Sequence, residues 1–216
     1  MAHPWRLYEL TPSEVQERLT ATGRLIVPAG TLESRGPHLP LGTDTIILER
    51  LADDLSARTG VVRTPALPFG ARGGNRRGPM GTAGLSRKAL HRVVNELIAA
   101  WEEDAGVREV HLLTAHAAEP HQEALGAVRA IGTVRVVDIF SLDFRGLLSR
   151  PDGPLHGGEL DTSLMVFLRP ELVKLGEAVD RYEATADKGR RLYGYILDRL
   201  AALCSPPSGV RVEPEL

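Results

Sequence analysis

Apolar residues recur along this chain in two alternating rhythms. In Val15 and Leu19, and again in Ile46, Ile47, Leu51 and Leu55, they return every third or fourth residue, which gives a helix one buried stripe. Between such stretches lie short apolar runs that predict strands: Leu25-Ile26-Val27-Pro28, Val61 to Leu67, Glu109 to Thr114 and Val134 to Ile139. Leu90, Val94, Leu97 and Trp101, following Ser86 as a cap, predict a third helix. A helix through Leu125 and Val128 follows the third strand, and another opens near Glu159 and stops before Pro170. Leu192, Ile196 and Leu200 mark a closing helix over Lys188 to Leu203. The first helix has a clear start in Thr11-Pro12-Ser13-Glu14, where a hydroxyl can cap and Glu14 can reach back to it; Gly23 ends it. Phe140 to Gly158 and residues 171–186 show no regular period.

Strands alternating with helices predict an α/β fold, a mostly parallel sheet with helices on both faces. No repeat, low-complexity tract or linker divides the sequence, so residues 1–216 read as a single domain. Ligands of open α/β sheets gather at the carboxyl ends of the strands. Three polar clusters follow strand ends directly, Glu33 to Asp44, Arg72 to Arg77 and His116 to His121, and they are expected to face one crevice.

Composition narrows the function classes. With 43% hydrophobic and 25% charged residues the chain is globular rather than disordered. A net charge of -2 leaves little for a counterion-release term, so no nucleic-acid partner is expected. The apolar runs are strand-sized, far below the roughly 20 residues a bilayer needs, and no membrane partner is expected either. Met1 to Leu10 lacks the apolar stretch of a signal peptide. Cys204 is the single cysteine, so no internal disulfide can form and a reducing, cytoplasmic setting is expected.

The first cluster, Glu33-Ser34-Arg35-Gly36-Pro37-His38-Leu39-Pro40-Leu41-Gly42-Thr43-Asp44, holds two carboxylates and an imidazole in a loop stiffened by glycine and proline. Such donors suit Zn²⁺, Mn²⁺ or Fe²⁺, although Asp44 is equally readable as a helix N-cap. The second, Thr114-Ala115-His116-Ala117-Ala118-Glu119, sets His116 after a strand, where it could serve chemistry or bond to nearby backbone. His121, just beyond, reads as a surface residue. The third, His156-Gly157-Gly158-Glu159-Leu160-Asp161-Thr162-Ser163, puts Glu159 and Asp161 in a first helical turn, where negative charge is favoured in any case.

Taken together these clusters resemble the creatininase (creatinine amidohydrolase) family. That family's E-x-H-G-x-H-L-P-L-x-x-D is followed over twelve positions with Arg35 replacing its first histidine. N-G-H-G-G-N is reduced to His116 within Thr114 to Glu119. H-A-G-x-x-E-T-S is similar to His156 to Ser163, with Asp161 in the glutamate's place. Order and spacing agree from about Leu25 to Val173.

The resemblance implies a hydrolase of C–N bonds with a bridged two-metal site. Glu33, Asp44 and His116 would hold one metal, and Asp161 would stand where the family has a further acid. The second metal would lose its histidine to Arg35, which stays protonated and offers only donors. Ala118 has no ligand atom, and Glu119 is the one nearby acid that could compensate. One divalent transition metal, Zn, Mn or Fe, is therefore expected. His156 matches the family's proton-transfer histidine and is the expected catalytic residue. Arg35, His38, Arg72, Arg76 and Arg77 are expected to bind a small anionic substrate, since Arg grips carboxylate and phosphate bidentately; solvated loop arginines are the plainer alternative. The resemblance also implies a homo-oligomer, compatible with exposed Trp5 and Tyr8. A metal-dependent hydrolase of an amide, cyclic amide or formamide is the first expectation. The second is a degenerate homologue that binds a ligand or catalyses another step in a specialised biosynthetic pathway.

Overall fold

The computed structural model describes residues 3–72, 80–154, 156–178 and 183–204. Four strands form one parallel sheet in the order β2-β1-β3-β4: β1 is Arg24–Ala29, β2 Val62–Arg63, β3 Glu109–Thr114 and β4 Thr133–Asp138. Helices α1 (Pro12–Thr22), α2 (Thr43–Thr59), α3 (Arg87–Ala105), α4 (Glu119–Gly126), α5 (Glu159–Leu168) and α6 (Ala186–Cys204) complete the fold. This is the α/β architecture expected from the sequence.

Period-2 alternation sorts the core into two layers. Ile26 and Leu113 join α2, α5 and α6 through Ile47, Leu51, Leu164, Leu192 and Ile196. Leu25, Val27 and Leu112 face the other way, onto Leu90, Val94 and Ile98 of α3 with Leu125 of α4. The first helix opens on the expected capping box: Thr11 accepts from Glu14 N, and Glu14 accepts from Thr11 N at 2.8 Å. The second strand is shorter than expected. Pro65 has no N–H to give a ladder, and the chain rejoins β1 only at Leu67, opposite Ala29. Trp5 is half-buried under the Arg18 guanidinium, 3.5 Å above its ring, whereas Tyr8 is exposed as expected. Among the described residues no helix is long and apolar enough to cross a membrane.

One contact outside the sheet positions the site. Glu159, at the start of α5, accepts from Ser149 N and Arg150 N, both at 2.9 Å, and pairs with Lys188 of α6. Lys188 Nζ also donates to Ser149 Oγ at 2.9 Å. The irregular segment that carries His156 is thus stapled to both helices just ahead of α5.

Candidate active site

The carboxyl ends of β1 and β3 deliver the central groups. Beyond β1 the chain is locked from several sides: Ala83 N donates to Leu32 O at 3.0 Å, Glu33 N to Leu41 O at 2.9 Å and Thr45 Oγ1 to Thr31 O at 3.0 Å. The first of these bonds sets Ala83 against Leu32. Gly30 is needed here, because a Cβ on it would lie 2.5 Å from Thr45 Oγ1. Helix α2 begins at Thr43 with Gly42 in the cap position, so Asp44 sits within the first turn instead of capping it.

Asp44 is 1% exposed. Its Oδ2 accepts from Thr31 Oγ1 at 2.6 Å and from the Arg35 guanidinium. Arg35, itself 2% exposed, also places Nη2 3.0 Å from His116 Nδ1 and 3.4 Å from Ala115 O. The other edge of the His116 ring, Nε2, faces Glu33 Oε2 at 3.4 Å. His156, on an exposed turn, brings its ring to within 5.4 Å of the His116 ring, centroid to centroid, and 6.3 Å of Phe140. Arg35, Glu33, Asp44, His116 and His156 therefore converge.

Burial governs the charges. It pushes the Asp44 carboxyl up to about 6, against the pull of the Arg35 charge, and the Asp161 carboxyl up to about 7. Burial, helped by the Arg35 charge, drives His116 down to about 3 and His121 to about 4, so both rings are neutral near pH 7. Asp161 Oδ2 accepts from Gly157 N at 2.7 Å while Oδ1 has no partner.

Several placements differ from the sequence expectations. His121 is fully buried rather than at the surface: its Nδ1 accepts from Ala71 N at 3.1 Å and its Nε2 lies 2.9 Å from Thr114 Oγ1. Gly70 makes room for that ring. His38, expected to touch substrate, is buried and bonded through Nε2 to Thr162 Oγ1 at 3.0 Å. Arg35 likewise spends its contacts on protein groups. Arg72 is half-buried against Gly84 and lines an open groove with Ser86, Pro120 and Glu123. Arg76 and Arg77 lie outside the described residues. Glu119 is exposed on α4.

Asp138, at the end of β4, was not singled out from the sequence. It shares Gln122 Nε2 (3.1 Å) with the His116 carbonyl (2.7 Å) and ties the third loop to the fourth strand. An acid closing a predicted strand beside two other polar strand ends was the available signal.

The expected metal ligands Glu33, Asp44 and His116 come together, with part of their lone-pair capacity taken by protein donors and with Asp44 Oδ1 and Asp161 Oδ1 buried and unpartnered. Among the described residues no group of three or more His, Cys, Asp or Glu side chains is arranged to hold an ion. Asp44 Oδ2 is already saturated by Thr31 and Arg35. Guanidinium nitrogens carry only donors, so His116 Nδ1 must be the accepting nitrogen and Nε2 the protonated one. That leaves the ring no lone pair for a cation.

Comparison with known proteins places this geometry. The sequence profile of the creatininase family, described as creatinine amidohydrolase, matches residues 8–214. The chain is 30% identical over 201 residues to the creatinine amidohydrolase of Pseudomonas putida, covering 82% of this chain and 76% of that one. It is 26% identical over 210 residues to the 3-dehydro-scyllo-inosose hydrolase of Thermotoga maritima, where 91% of this chain spans 66% of the relative. Against the mycofactocin precursor peptide peptidase of Mycobacterium tuberculosis it is 25% identical, over 86% and 88% of the two chains. A crystal structure of creatininase superposes with a TM-score of 0.79 at 24% identity, covering 95% of this chain and 99% of the other, which shows the shared fold. Solved creatininases include a manganese form and a Zn-Zn form. With a matching profile over nearly its whole length, the chain belongs to the creatininase family.

Proposed function

We propose that this chain hydrolyses a small C–N bond, an amide, cyclic amide or formamide, in an anionic substrate. The observation that carries the reading is the approach of both Glu33 and His156 to His116, beside the buried Arg35 guanidinium. Of the three acids in the site only Glu33, with a side chain 35% exposed, reaches solvent. Glu33 takes a proton from water as the water oxygen adds to the carbonyl carbon. His156, exposed and with its ring 5.4 Å from that of His116, gives a proton to the nitrogen as the C–N bond breaks, leaving an acid and an amine. Neutral His116 has its Nε2 3.4 Å from Glu33 Oε2 and its ring 5.4 Å from that of His156. Arg35 supplies fixed positive charge below the site. Arg72, Arg76 and Arg77 would meet the substrate's anionic group. Two of the three relatives named above, an amidohydrolase and a peptidase, carry names of amide-type hydrolases, which supports the bond class.

A second reading, ligand binding without hydrolysis, is favoured by the inward commitment of Arg35 to Asp44 and His116. Amine release from N-formyl, cyclic and linear amides bearing a carboxylate or phosphate separates the two. Under the hydrolase reading at least one is turned over, and Glu33→Gln or His156→Ala lowers the rate by roughly 10²–10⁴-fold. Thermal stabilisation by such compounds with no amine released from any of them would establish the second reading.

A further inference from the structure

We propose that Arg35 is a built-in substitute for a metal ion, a guanidinium that bridges Asp44 and His116 and leaves the site unable to bind a divalent cation. The bridge joins the acid of the β1 loop to the histidine of the β3 loop, the two groups whose lone pairs an ion between these loops would need. Each is used. Asp44 Oδ2 takes two protein donors, Thr31 Oγ1 and Arg35 Nη2. His116 accepts at Nδ1 from a group that can only donate, so its proton is fixed on Nε2, facing Glu33 at 3.4 Å.

An ion entering on the Glu33 side would have to move that proton to Nδ1, where it would point at an N–H of Arg35. Displacing the arginine is no easier. Its side chain is 1% exposed, and Gly157 packs so closely on its backbone that a Cβ there would lie 2.4 Å from Arg35 O. Outside the site the guanidinium would have to leave Asp44, its ion-pair partner; inside, it would sit as a like charge beside the incoming cation. At the two positions after His116 that could offer a compensating ligand, Ala118 has no donor and Glu119 is exposed. The inference concerns which cation the site carries and is independent of whether the site hydrolyses amides.

Metal titration of the full chain tests it without any substrate. After dialysis against chelator, wild-type protein is expected to show no stoichiometric tight site for Zn²⁺ or Mn²⁺ in competition with a chromophoric chelator. Arg35→His and Arg35→Ala, the second included in case the first fails to fold, should bind Zn²⁺ at least roughly 10–100-fold more tightly than wild type. Nitrogen-15 chemical shifts of the wild-type His116 ring should report a proton on Nε2 and an accepting Nδ1, with no change on adding Zn²⁺. One tightly held equivalent in the wild type, abolished by Asp44→Ala, would overturn the proposal. So would a His116 ring protonated on Nδ1, or folded Arg35 variants that bind Zn²⁺ no better than wild type.

Discussion

Asp161 is an acid whose bonding supports only half of its carboxylate: Oδ2 receives the Gly157 N–H and Oδ1 nothing. Burial raises its pKa from the ordinary 3.8 to about 7, so the folded chain holds that proton where the unfolded chain has lost it. Below pH 3.8 both states are protonated and the group costs nothing; as pH rises towards 7 the fold pays increasingly for it. Asp161→Asn keeps an acceptor for Gly157 and cannot ionise. It should therefore raise stability above pH 7 by about 2–4 kcal/mol and leave it unchanged below pH 4, measured by urea unfolding at both values. A loss of stability at pH 8 would mean that Asp161 is ionised and held by a cation. Arg72 tests the substrate instead of the fold. Arg72→Ala should raise KM for an anionic amide by about 1–3 kcal/mol, while an uncharged analogue responds little. What the sequence disclosed at this scale was identity: Glu33, Asp44, His116 and His156 were legible as polar residues at strand ends. Direction was not. Loop arginines are ordinarily solvated and Arg35 turns inward; histidines in loops are ordinarily exposed and His38 is a core group, as is His121 near the start of α4. No periodicity reports which way a loop side chain points.

At the scale of elements, helix and strand positions were legible wherever periodicity was strong. The Thr11 capping box, the short strand through Leu25, Ile26 and Val27, and the stripe of Leu192, Ile196 and Leu200 all stand as read. Strand β2 is shorter than the largely apolar stretch Val61 to Leu67 suggests, because the missing N–H of Pro65 curtails pairing. The staple between α5 and α6 was invisible, since Glu159 and Lys188 are distant in sequence and each looks like an ordinary surface charge. Lys188→Met would leave the Glu159 carboxylate, 4% exposed, without its cation, at a cost of about 3–5 kcal/mol by thermal or urea unfolding. Adding Glu159→Gln should recover much of that loss, because a neutral amide oxygen can still accept from the Ser149 and Arg150 amides. If the single variant is as stable as wild type, the pair is solvated and does not hold the His156 segment.

Across the whole molecule, buried imidazoles and buried acids set opposing responses to pH. His111, His116 and His121 all have pKa values lowered by burial, to about 3 for His116 and about 4 for His121, so each is neutral in the fold while its unfolded counterpart titrates near 6.5. Their contribution is complete above pH 6.5 and is lost as pH falls towards those folded values. Asp44 and Asp161 respond in the opposite sense, relieving the fold as they protonate below about 6 and 7. Single variants separate the two sets. The stability gap between wild type and His121→Gln should narrow by roughly 2–3 kcal/mol between pH 7 and pH 4, read from urea midpoints. A gap that stays constant would mean that His121 does not titrate differently in the folded and unfolded chains.

The strand order carries a consequence for how this protein forms. The central pair of the sheet is β1 and β3, yet between Ala29 and Glu109 the chain must first lay down α2, β2 and α3. No hairpin can seed the sheet, since every pairing in it is parallel and β1 must wait for distant sequence on both of its sides. Productive nucleation therefore needs a long loop to close before any interstrand hydrogen bond compensates for the lost chain entropy. On a ribosome β1 would emerge with only the two-residue β2 to pair with until β3 follows. Refolding from denaturant should accordingly be slow compared with helical proteins of this length, and fragments ending before β3 should aggregate instead of adopting a partial native sheet.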